Sequence, residues 1–201
     1  MPINFFIAPK TGTKSEAGFS LVELMVVVAI IAVIGAIAVP NMSPANARLK
    51  QAARELYGNM QRARMEAIKS NQNVGIVFDT VNNQYLLCQN ANSDNDCTDA
   101  GETILSTTTF STYGSNVQFG YGAATLNALT TGTLAQRACP ANCPANGVSY
   151  TTSDMVFGPT GRTSTLGYIY LQNNKNTSYA VGTPSLAGVV VMKKWQNGSW
   201  Q

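Results

Sequence analysis

The chain holds no histidine, which removes imidazole as general base, proton shuttle and metal ligand and excludes Ser–His or His–metal catalysis. The residues left to do chemistry are four cysteines, one crowded acidic stretch, a few cations and one carboxylate in an unexpected place. Asn92–Glu102 carries Asp94, Asp96, Asp99 and Glu102, oxygen ligands of the kind that hold calcium. The spacing is not that of an EF-hand, because the sixth position lacks glycine and the glutamate comes too early. A solvated loop tied at Cys97 explains the same residues, so no cofactor is expected and calcium is the one candidate. Cys88, Cys97, Cys139 and Cys143 are even in number, as for disulfides of an oxidising compartment. Three pairings are open; Cys88–Cys97 and Cys139–Cys143 are expected because each closes a short loop. Zinc would need four converging thiolates, and CPANC is wider than the usual C-x2-C. Redox chemistry would want C-x-x-C at a helix start, so the repeated Cys-Pro-Ala-Asn reads as a stapled loop. Arg162, Lys193 and Lys194 beside Trp195 are candidate phosphate contacts. A net charge of +3 and a pI near 8.7 are too mild for a nucleic-acid binder, so these cations read as a solvated face.

Glu23 is the carboxylate out of place. It directly precedes Leu24–Val39, sixteen uncharged and almost wholly apolar residues. An acid at the centre of a membrane-grade helix costs about 2.5–3.5 kcal/mol, less near its end. Such a residue is by default functional and wants a partner. A secretory signal with Lys10 and Lys14 before the run and Ala36-Ile37-Ala38 as its cleavage site is one reading. A plain anchor is another: Phe19–Val39 is 21 residues, about 31 Å of helix. Neither explains Glu23. Arg48, Lys50 and Arg54 after the run leave the flanking-charge rule undecided.

Gly18-Phe19-Ser20-Leu21-Val22-Glu23-Leu24-Met25 resembles the cleavage site G|F-[ST]-L-x-E of prepilins and the helix that follows it in type IV pilin-like proteins. The resemblance implies that 1–18 is a cytoplasmic leader, cut by prepilin peptidase between Gly18 and Phe19, with Phe19 then N-methylated. Glu23 matches the acid at the fifth mature position, and Pro40 the proline that breaks the helix at the twenty-second. It implies a single pass through the bacterial inner membrane with the C-terminal domain in the periplasm. Other pilins or pseudopilins and an inner-membrane assembly platform are the implied partners. Cleavage frees an α-amino group at Phe19, and the Glu23 of one subunit would neutralise the amine of its neighbour in a low dielectric.

The elements that must position these groups follow from periodicity. Met42, Leu49, Ala53, Leu56, Met60, Ala63 and Ala67 recur at threes and fours, one apolar stripe, so a single helix is expected from about Ser20 to Ser70. Gly35, Pro40 and Pro44 weaken its middle, and Arg62–Glu66 has ion-pair spacing. After Asn73 the period becomes two, with a hairpin through Val81–Gln84. Further strands are expected at 103–110, 117–121, 155–157, 167–171, 178–181 and 188–195. The expected fold class is α+β, a long N-terminal helix packed on an antiparallel β-sandwich. Its parts are the 1–18 leader, a 19–40 hydrophobic membrane or filament-core helix, a 41–70 amphipathic half and a 71–201 β-rich domain.

The passage Ala52–Phe78, the turn Val156-Phe157-Gly158-Pro159-Thr160-Gly161 and the Gly188–Trp195 strand resemble the GspH/FimT-type domain of minor pilins and pseudopilins. No cysteine follows Cys143, which favours the minor class. The resemblance implies a structural subunit of a type IV pilus or type II secretion pseudopilus, with no catalysis of its own. Two alternatives stand beside it. One is a FimT-like DNA-uptake receptor, although the region that would carry Gly-Arg-x-Arg reads Leu186-Ala187-Gly188-Val189-Val190. The other is a binding module released at Ala38. Asn90–Tyr150 is left unplaced, and Trp195 and Trp200 are read as core and tail, or as a contact surface.

Overall fold

A computed structural model describes residues 18–38, 43–92, 94, 96–129 and 137–201, with backbone only for 35–38. Two units divide the chain, Met1–Met42 and Ser43–Gln201. The first contains α1 (Leu21–Ala38). The second holds α2 (Pro44–Ser70) and nine strands: β1 (Val74–Asp79), β2 (Gln84–Gln89), β3 (Thr103–Thr109), β4 (Gln118–Phe119), β5 (Asp154–Phe157), β6 (Gly167–Gln172), β7 (Ser178–Thr183), β8 (Val191–Gln196) and β9 (Ser199–Trp200).

The helix expected from Ser20 to Ser70 is therefore two described helices. Met42 and the proposed break at Pro40 lie outside the described residues. α2 starts where Pro44 takes the first helical position behind Ser43, a place where its missing N–H is no loss. It stops at Asn71, whose φ of 54° puts it in the left-handed region that ends helices. Its stripe is as expected from Leu49 onward: Leu49, Ala53, Leu56, Met60, Ala63 and Ala67 are all fully buried, with Ala52 beside them. Burying Leu49, Leu56 and Met60 is worth about 1.5–3 kcal/mol each. The surface ion pair that forms, Lys69–Glu66 at 3.5 Å rather than Arg62–Glu66, adds under about 1 kcal/mol. The stripe holds α2 in place.

The strands make two antiparallel sheets, ordered β3-β2-β1-β5 and β4-β6-β7-β8-β9. Both feed one core with α2: Ile76, Phe78 and Leu87 from the first, Ile169, Leu171 and Val181 from the second. Phe78 stacks on Tyr150 at 5.9 Å, and Phe110 meets Phe119 edge-on at 5.1 Å. The helix-on-antiparallel-sheet class expected from the sequence is what forms. The β1–β2 turn is set by Asp79, whose carboxylate accepts from the backbone of Val81 and Asn82 and from the Asn82 amide. Those hydrogen bonds, the Asn82 backbone first, hold its pKa below the ordinary value.

In the unplaced region the described residues form β3, a 3-10 turn at Phe110–Tyr113 and β4, with one staple before β3 and one after β4. The disulfides are Cys88–Cys97 and Cys139–Cys143, the local pairing. The first pins Cys97 over the outer face of β1 and β2, where Val77, Cys88, Ala91, Cys97 and Val156 form a second apolar cluster. Of the two readings of the tryptophans, the core-and-tail one comes out reversed. Trp200 is buried and Trp195 only half-buried, because the last residues turn back as β9 and carry the Trp200 indole under the 121–129 loop. There it donates to the Leu126 carbonyl at 2.6 Å and meets Tyr170 and Trp195.

Candidate assembly site

α1 is the element with no apolar interior of its own. Every described side chain from Leu21 to Ile34 is exposed, and Phe19 just before it is 84% exposed. Val, Ile and Leu line all its faces, so it has no polar side to turn to water. Ser20 starts it: its carbonyl accepts the Leu24 N–H at 3.1 Å and its hydroxyl the Val22 N–H at 3.4 Å. That places Phe19 outside the first turn and Glu23 inside it. Carboxylates are favoured there by the unsatisfied N–H groups and the helix dipole. The Glu23 carboxylate has no hydrogen-bond or ion-pair partner among the described residues. The helix start expected at about Ser20 is where it forms. The Ser20-x-x-Glu23 spacing is a capping-box signature and supplies the reason. At 18 residues α1 is about 27 Å long, shorter than the Phe19–Val39 count because Ser20 caps it and Val39 is not described. Among the described residues no helix is long and apolar enough to cross a membrane.

The other candidate groups belong to the second unit. Asp94, Asp96 and Glu102 offer carboxylate oxygens within 4.8 Å of one another. Asp99 and Glu102 are engaged in shaping the loop: Asn92 donates its amide to Asp99 at 2.8 Å and its backbone N–H to Glu102 at 3.1 Å. Lys193 does not face outward as a phosphate contact. Its amine donates to the Ala128 carbonyl at 3.0 Å and lies 5.3 Å from the centre of the Tyr168 ring, and burial lowers its pKa. Lys194 reaches Gln196 at 3.2 Å, and Arg162 is exposed on a different turn. Each of these three candidate phosphate contacts thus has its own local setting.

A cation the sequence argument did not single out is better placed. Arg64 on α2 donates to the carbonyls of Gly161, at 2.9 Å, and Ala187, at 3.2 Å. It ties two loops to the helix. Glycine is required where they meet: Gly188 has φ of +70°, and a Cβ there would strike the Gly161 carbonyl.

The comparisons fit this division. A family model described as Type II transport protein GspH matches residues 52–188, and one described as the prokaryotic N-terminal methylation motif matches 13–39. The chain belongs to the GspH family. It is a type IV pilin-like, GspH-type protein. Pilin-like protein PilA1 of Thermus thermophilus is 44% identical over 81 residues, 39% of this chain and 52% of that protein. The chain thus spans about half the length of this curated relative. Two structures of the minor pseudopilin EpsH from the type 2 secretion system of Vibrio cholerae are similar over 72% and 75% of this chain. They cover 94% and 97% of the EpsH chains, with 15% and 14% identity and TM-scores of 0.44.

Proposed function

We propose that this GspH-family chain is inserted in the bacterial inner membrane through α1, cut between Gly18 and Phe19 by prepilin peptidase, and passed by an assembly platform into a helical filament. The filament is a type II secretion pseudopilus or a type IV pilus, with the disulfide-stapled domain on the oxidising, periplasmic side. The chain's role is structural; no reaction is assigned to it. One observation carries this reading: a helix apolar on every face, exposed, with an acid in its first turn that has no partner among the described residues. Water is a poor solvent for such a helix, and lipid or other α1 helices are the surroundings that suit it.

The acid gives the chemistry. While the Gly18–Phe19 bond is intact, Phe19 offers a neutral amide. Cleavage leaves a cationic amine, methylated or not, one residue outside the Ser20 cap. Its own helix N-terminus is also positive, so the amine gains by meeting a carboxylate from another subunit. Two charges at about 4 Å attract by roughly 4 kcal/mol at an effective dielectric of 20. Removing one partner leaves the other buried and unpaired.

Glu23→Gln tests the reading in cells that make the full chain. The expected result is a loss of about tenfold or more from the sheared filament fraction, with the same amount of cleaved protein in the membrane. Equal entry of mutant and wild type overturns it. Mass analysis of the mature N-terminal peptide adds a second check. A start at Phe19, one methyl group heavier than the unmodified peptide, is expected, whereas a start after Ala38 would identify a conventionally secreted module.

A further inference from the structure

Apart from α1 and Phe19 before it, the exposed large apolar side chains of the described residues fall into two groups on different faces of the globular unit. The first is Met65 and Ile68 on α2 with Leu186 and Val189 on the β7–β8 loop, 44–64% exposed. They are neighbours: Arg64 ties the loop to the helix through Ala187. A Cβ on Gly161 would lie 2.8 Å from the Ile68 side chain, and Leu186 accepts the Thr163 N–H at 3.2 Å. The rim of this patch is net basic, with Arg62, Lys69 and Arg162 exposed and Glu66 paired with Lys69. The second group is Val81, 91% exposed, and Ile104, 48% exposed. They flank an open groove of about 390 Å³ whose walls include Val77 and Leu86. Its charged lining is acidic, Asp79 and Asp96.

Side-chain alternation along β1 puts the two groups back to back. Ile76 and Phe78 point into the core shared with α2, whereas Val77 belongs to the outer cluster under the disulfide loop. A patch on the α2 side and a groove on the opposite face cannot meet within one molecule. Between two molecules they can, and they complement one another: a convex apolar patch with a basic rim, and an apolar groove with acidic walls. Opposite rims steer the encounter and disfavour either surface packing on a copy of itself. A contact between different surfaces on successive copies is heterologous, and unless its rotation closes a ring it propagates as an open helix.

From this we infer that the Met65–Ile68–Leu186–Val189 patch of one copy docks in the Val81–Ile104 groove of the next. The contact joins globular units independently of the α1 pairing. It rests on the filament reading above and deepens it by naming the surfaces through which the domains meet. Apolar area supplies the attraction, and the charged rims set which surfaces pair.

A test uses the full chain in producing cells. The native cysteines are all in disulfides, so a short bismaleimide reacts only at introduced thiols. The double variant Ile68→Cys/Val81→Cys is expected to give a ladder of covalent multimers, and neither single variant any. Dimers from either single variant would overturn the inference by showing like surfaces in contact. A ladder absent in every fraction, or adducts with other proteins only, would overturn it as well. A ladder in cells whose filament fraction lacks the chain would keep the contact and remove the filament reading. In the cross-linking background, Arg62→Glu with Lys69→Glu is expected to lower the ladder about tenfold, and adding Asp96→Lys to recover part of it. Unchanged yield after the double reversal would overturn the charge-matched docking.

Discussion

α1 and α2 are both helices rich in apolar residues, yet they stand in opposite relations to their own chain. α2 places Leu49, Leu56 and Met60 on one stripe, fully buried against two sheets, and turns Arg62 and Lys69 to water. α1 distributes its Val, Ile and Leu all round and buries none of those described. The difference is angular. Three- and four-residue spacing concentrates apolar area on one side, which one domain can cover. A continuous apolar run has no side to leave exposed and must find surroundings outside the monomer. One helix is solved within the fold; the other is left for assembly.

The strongest way to break this comparison is a charge in each helix. Leu56→Asp is expected to unfold the globular unit, costing roughly 4 kcal/mol or more because a carboxylate would sit in a dry core. Ile30→Asp in α1 should leave the unit's melting temperature unchanged and empty the filament fraction. A shared loss of melting temperature would show that α1 is part of the domain's core after all. Truncation asks the same question more gently: Leu56→Ala is expected to cost about 2–5 kcal/mol, measured by denaturant unfolding, and Ile30→Ala nothing in that assay.

Removing the Cys88–Cys97 staple by Cys88→Ser/Cys97→Ser should cost about 2–3 kcal/mol on the chain-entropy account for a loop of this length. It should also loosen the acidic groove wall, visible as faster amide exchange at Asp96 and Thr98.

Alkaline titration should separate the helices with a smaller effect. Burial raises the pKa of Tyr85, Tyr150, Tyr168, Tyr170 and Tyr179, Tyr168 to about 12. Tyr113 is raised by burial and by its hydrogen bond to the Glu55 carboxylate. In the unfolded chain they ionise near 10. The folded state therefore binds more protons above that pH, and stability present below pH 10 is lost as pH rises through the folded values. Lys193 has the opposite sign, since its lowered pKa favours folding slightly more as the amine deprotonates. The tyrosines outnumber it, so net loss is expected above about pH 10. Circular dichroism of the full chain in detergent should then lose its aromatic signal while α1, which has no tyrosine, keeps its helical one.

Much of the fold was legible in the sequence. The α2 stripe from Leu49 to Ala67 was read correctly because helical spacing and burial are the same fact seen twice. The strands near 74–78, 103–109, 155–157, 167–171 and 178–181 were visible in the sequence. β9 was missed because two residues after a turn carry no period. The reversed tryptophans follow from that miss. For the candidate site, Glu23 stands out as a charge against an apolar run, and the helix start at Ser20 is expected, whereas the cap spacing that causes it is not used. Arg64 had no local signal, since its partners lie 97 and 123 residues away.

Composition and order of residues alone determined that this chain has no histidine chemistry, an apolar segment headed by an acid, and a helix-then-strand domain. Those properties are local: each depends on side-chain type and on spacings of two to four residues. Only the tertiary structure decided that Lys193 is spent on an internal carbonyl, that Trp200 lies under a loop, and that an apolar patch and an acid-walled groove stand on opposite faces. Those depend on which residues distant in sequence become neighbours, and that is set by how one core closes over α2 from both sheets.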